Sequence, residues 1–77
     1  MKPVLTNRCA ERIVAHVSAR TRVDAADILS RSRHRLCVIP RHRAMRIMTR
    51  LGYSSSDIGL VFSLDGSAVR QALRARA

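Results

Sequence analysis

Residues 55–74 read Ser55-Ser56-Asp57-Ile58-Gly59-Leu60-Val61-Phe62-Ser63-Leu64-Asp65-Gly66-Ser67-Ala68-Val69-Arg70-Gln71-Ala72-Leu73-Arg74. Ile58, Phe62, Leu64, Val69 and the pair Ala72-Leu73 recur where two short helices joined by a tight turn need apolar side chains to face each other across a steep crossing. Gly59 falls where the two helices touch, and a larger side chain there would push the second off the first. Ser63 occupies the turn, where glycine is commoner because the chain tends to need φ > 0. This is the spacing of a helix-turn-helix. The plainer reading of the same pattern is an antiparallel helix pair in a small bundle with a solvated Arg/Gln face.

In the helix-turn-helix register Asp65 caps the second helix through its side-chain oxygen, and Gly66, Ser67, Arg70, Gln71 and Arg74 project opposite the apolar stripe. These side chains suit a DNA major groove. Arg pairs with guanine O6 and N7, Gln with adenine N6 and N7, and Ser67 reaches a base edge or a phosphate.

The rest of the composition agrees. The chain has 77 residues, enough for one domain with one modest core and too few for a large enclosed active site. Aliphatic residues supply most of the apolar side chains, aromatics amount to 3%, and only two Pro and three Gly interrupt them, which favours a small helical bundle. Lys and Arg total 15 against five acidic residues, a formal net charge of +10, and all but one of the basic residues are Arg. Such a chain seeks a polyanion. Arg over Lys suits bidentate recognition of phosphate or guanine, although a GC-rich genome enriches Arg codons as well.

Several function classes are disfavoured. Five scattered carboxylates with no nucleophile-base pair leave no catalytic constellation, so an enzyme is not expected. No cofactor is expected. Cys9 and Cys37 lie far apart with no Cys-x-x-Cys pair, which points to reduced thiols and a cytoplasmic, nucleoid-associated protein. His34, Cys37 and His42 are close in sequence but fit no common zinc finger. No stretch approaches the ~20 apolar residues of a membrane span.

Along the chain, Met1 to Leu5 read as a tail, with the domain from Thr6 to Ala77. Thr6 or Asn7 offers an N-cap, and Cys9, Ala10, Ile13, Val14 and Val17 form the apolar stripe of a first helix to about Arg20. His16 lies beside that stripe as a structural residue. Asp24 is placed to cap a short helix that Ile28 and Leu29 anchor to the core. Ser30-Arg31-Ser32-Arg33-His34-Arg35 follows as a basic loop whose crowded arginines ask for a phosphate or minor-groove contact. A long helix then runs to Gly52, its C′ residue, with Ala44, Ile47, Met48 and Leu51 as core stripe and Met45 as core filler. Its Arg41, Arg43, Arg46 and Arg50 are candidates for backbone phosphate, though not all can face one way.

Ile13 to Val69 resembles the C-terminal DNA-binding domain of DnaA, the bacterial replication initiator. The resemblance rests on Val23-x-x-Ala26-Asp27-Ile28-Leu29-Ser30 with Arg31, Arg33 and Arg35, on Pro40-Arg41-x-x-Ala44-Met45, and on Ile58-Gly59-x-x-Phe62. It implies that Arg33, with Arg35 beside it, enters a minor groove and that Arg41 contacts phosphate. The family's recognition helix opens Asp-His-Thr/Ser-Thr-Val; here Asp65, Ser67 and Val69 fit, whereas Gly66 and Ala68 replace two base-reading groups. The fold carries over and the initiator's target sequence does not. No Gly-x-x-x-x-Gly-Lys-Ser/Thr nucleotide loop is present.

The expectation is therefore an all-α bundle of four or five helices that binds double-stranded DNA, most simply as a transcription regulator of phage-like or gene-transfer type acting with a second protein. A replication-control factor competing for initiator sites, and a protein- or RNA-binding module, are the alternatives.

Overall fold

The computed structural model describes residues 7–30 and 34–74. Among them five helices follow in order: α1 Asn7–Thr21, α2 Ala25–Leu29, α3 Arg35–Arg50, α4 Ser55–Phe62 and α5 Gly66–Arg74. All the other four pack against α3, while α1 also packs on α2 and α4 on α5. The expected N-terminal tail lies outside the described residues.

Each helix is delimited by local chemistry. Helix α1 ends at Arg22, whose φ of 60° turns the chain left-handed while its N–H donates to the Ser18 carbonyl at 2.8 Å. Asp24 stands at the N-cap position of α2 but makes no side-chain capping bond, so the expected cap is positional only. Helix α3 opens on His34, whose Nδ1 accepts from the Leu36 N–H at 3.2 Å. Pro40 lies inside that helix and is buried. It lacks the N–H that would bond back to Leu36, a local cost that its burial and the packing of the following turns outweigh. At the far end Gly52 takes φ 95°, its N–H donates to Thr49 O at 3.0 Å and the Tyr53 N–H to Met48 O at 3.2 Å. That pair of bonds is a Schellman motif, so Gly52 is the C′ residue as expected.

The core consists of Ala10, Ile13, Val14 and Val17 from α1, Ile28 from α2, Ala44, Met45 and Met48 from α3, Ile58 and Phe62 from α4, and Val69 from α5. Full burial of each large member contributes roughly 1.5–3 kcal/mol. Two expected core residues lie elsewhere. Leu29 is 39% and Leu51 55% exposed, because each sits at or just beyond the last turn of its helix, where the chain has begun to leave the core. Cys9 is only half-buried at the edge of the α1 stripe.

Candidate nucleic-acid interface

Helices α4 and α5 meet through a turn of Ser63, Leu64 and Asp65. Ser54 starts α4 by accepting from the Asp57 N–H at 3.2 Å, with the Asp57 carboxylate in the first turn where it favours the helix dipole. Ser63 closes α4 in the left-handed region, φ 57° and ψ 39°, and the N–H groups of both Ser63 and Leu64 converge on the Gly59 carbonyl. The turn thus has the backbone expected of it, with serine in a glycine's place. At the crossing, a Cβ added to Gly59 would land on the Leu64 carbonyl oxygen and within 3.2 Å of the Asp65 carbonyl carbon. Gly59 is required by backbone proximity.

Asp65 Oδ1 accepts from the Ala68 N–H at 2.8 Å and so caps α5. Val69 is fully buried on the inner side of α5, with Ala72 and Leu73 half-buried beside it. Ser67, Arg70, Gln71 and Arg74 are all exposed. At about 100° per residue these four occupy an arc of about 100° opposite Val69. Arg70 Nη2 donates to Ser67 Oγ at 3.2 Å, which holds the guanidinium along the helix surface. Gly66 is half-buried rather than free, since a Cβ there would come within 3.3 Å of Ser56 Oγ on α4 and 3.6 Å of Arg70 Nη1. Residue 66 therefore brings no side chain to probe a base, and the space its Cβ would fill faces Ser56 of α4.

The remaining candidates divide. Arg31 and Arg33 lie outside the described residues, and Arg35 is exposed at the first position of α3. Arg41 departs from the expectation of a phosphate ligand. It is only 8% exposed, and its Nε donates to the Ile28 carbonyl at 2.9 Å, tying the end of α2 to α3. Burial lowers its pKa from the ordinary value, with Cys37 opposing. Its neighbour His42 carries a buried Nδ1 with no hydrogen-bond partner among the described residues. Burial, then Arg41 and Arg46, lower the His42 pKa. Arg43, Arg46 and Arg50 are exposed and turn to a cleft between α1 and α3, where His16 and Arg20 join them.

Sequence reading missed that gathering and the burial of Arg41. For Arg41 a signal exists, because Arg41, Ala44, Met45 and Met48 share the i, i+3, i+4, i+7 register of one helix face. For the cleft the signal is partial: Arg43, Arg46 and Arg50 share one face of α3 by their spacing, but nothing local brings His16 and Arg20 of α1 against them.

The family model for the bacterial DnaA protein helix-turn-helix matches residues 10–75. The chain belongs to that family. As a DnaA-type helix-turn-helix domain it binds double-stranded DNA, with α4 and α5 as the motif. No curated protein and no solved structure matches the chain. Among the described residues of this DnaA-type domain no helix is long and apolar enough to cross a membrane.

Proposed function

We propose that the domain reads a short duplex sequence by laying α5 in the major groove and that it acts as a transcription regulator. Ser67, Arg70, Gln71 and Arg74 contact base edges, Asp65 sets the start of the helix, and Gly66 lets α5 open close against Ser56 of α4. Arg35, with Arg31 and Arg33, reaches the neighbouring minor groove or backbone. The observation that carries this reading is the exposed Ser67/Arg70/Gln71/Arg74 arc on a helix whose opposite side is buried.

Gly66 and Ala68 separate this arc from the initiator's Asp-His-Thr/Ser-Thr-Val pattern, which favours a different target sequence and hence regulation over origin recognition. The domain has no catalytic role in this reading. One small module contacting one site gains affinity from a protein partner or a second site.

Selection of bound sequences from a random duplex pool at near-physiological salt tests the reading. A motif of about one major-groove site is expected. Arg70→Ala should then lose roughly 1–3 kcal/mol on the selected site and flatten preference at one base pair. Equal loss on selected and random duplexes would remove Arg70 from base recognition.

A further inference from the structure

Helices α1 and α3 pack against each other yet leave an open cleft of about 410 Å³ between them. Arg20 of α1 and Arg43, Arg46 and Arg50 of α3 line it with His16, over a floor formed by the half-buried Ile47, with Val17 fully buried beneath. All five polar side chains are exposed, and among the described residues no carboxylate lines the cleft. Four guanidiniums so close together repel one another until an anion enters. No residue of α4 or α5 takes part, so the cleft is distinct from the arc on α5 that faces bases.

Guanidinium forks bind carboxylate and phosphate with the same geometry, so charge alone leaves two occupants. The floor separates them. A duplex presents its phosphates on a broad convex surface that meets the arginine rims and leaves Ile47 uncovered. An extended peptide alternating acidic and apolar side chains satisfies rim and floor together, which is how arginine clusters take acidic motifs. We propose that this cleft binds an acidic, leucine-bearing segment of a partner protein, with Asp or Glu carboxylates in the arginine forks and an apolar side chain over Ile47. It gives a surface to the protein partner invoked above and rests on that part of the reading; it does not depend on which bases α5 contacts.

The test uses the whole chain, a short fluorescent peptide of Glu and Asp residues with two leucines, the same peptide with serine for leucine, and tripolyphosphate as competitor. Two charge-matched variants are compared, Arg20→Ala/Arg50→Ala in the cleft and Arg70→Ala/Arg74→Ala on α5. All four positions are exposed, and circular dichroism verifies folding. The cleft pair should weaken the leucine peptide about tenfold or more, the α5 pair less than about twofold, and the serine peptide should bind more weakly than the leucine peptide. Equal weakening by both pairs would reduce the effect to net charge and overturn the proposal. So would serine peptide or tripolyphosphate binding as tightly as the leucine peptide. A loss of duplex affinity in the cleft pair as large as in the α5 pair, without peptide binding, would return the cleft to the DNA backbone. Failure of duplex selection with the peptide result intact would instead sink only the reading of α5.

Discussion

Replacing Arg41 by methionine isolates what a buried guanidinium does in this fold. Methionine preserves most of the aliphatic stem, so packing around Pro40, Ala44 and Met45 is largely kept while the donor is lost. The Nε bond to Ile28 O, 2.9 Å and buried, disappears. A hydrogen bond from a charged donor contributes about 1.5–3 kcal/mol, and a buried carbonyl left without its donor adds to the loss. Against this, the guanidinium no longer has to be desolvated, the same effect that lowers its pKa. The balance is a destabilisation of about 2 kcal/mol, which for a domain of this size lowers Tm by roughly 8–16 °C. Thermal unfolding followed by far-UV circular dichroism measures it, and duplex binding is measured well below the lowered Tm. The expected result is a large fall in Tm with duplex affinity nearly unchanged for the folded fraction. A Tm within about 2 °C of the parent together with weaker binding to every duplex would refute the reasoning and restore Arg41 to the phosphate contacts.

Other perturbations test separate parts of the structure. Ser63→Gly relieves a left-handed serine at φ 57° and should stabilise by roughly 0.5–1 kcal/mol after the extra freedom of the unfolded chain is set against it, read as a Tm raised by several degrees. Asp65→Ala removes the cap on the Ala68 N–H and should cost about 1 kcal/mol in denaturant titration, with fraying confined to α5 in hydrogen exchange. Because the His42 pKa is lowered in the folded state, the unfolded chain binds the proton more readily. The contribution of His42 is therefore full above its ordinary value of 6.5 and is lost as pH falls through the lowered one. Stability should drop on acidification below about pH 6.5, and His42→Gln should flatten that slope; an unaltered slope would exclude His42 as its source.

The helix-turn-helix is legible in the sequence because its determinants are local. Ile58, Phe62 and Val69 keep helical spacing, and Ser54, Gly52 and Asp65 act within a few residues of themselves through caps that any chain of this pattern would form. What escapes a sequence reading depends on neighbours distant along the chain. Residue type alone cannot separate the buried Arg41 from the exposed Arg43, Arg46 and Arg50. Helical register can, since Arg41 shares a face with Ala44, Met45 and Met48 opposite the other three, but the Ile28 carbonyl that accepts from its Nε comes from α2 and has no local signal. Leu29 and Leu51 mislead for the opposite reason, as an apolar residue in register counts as core only while the helix continues beneath it. Ser67, Arg70, Gln71 and Arg74 emerge on one exposed arc because α5 is short, straight in register and anchored by Val69.

The crossing at Gly59 also governs how this sequence can change. What a side chain there would strike is the main chain of Leu64 and Asp65, which every amino acid shares. Shrinking a neighbouring side chain therefore cannot make room for Gly59→Ala. A search for second-site revertants of that variant should return glycine itself or substitutions that raise stability elsewhere, and none that complement it by shape. Lineages that preserve the angle between α4 and α5 thus keep residue 59 as glycine while the DNA-facing residues of α5 remain free to diverge.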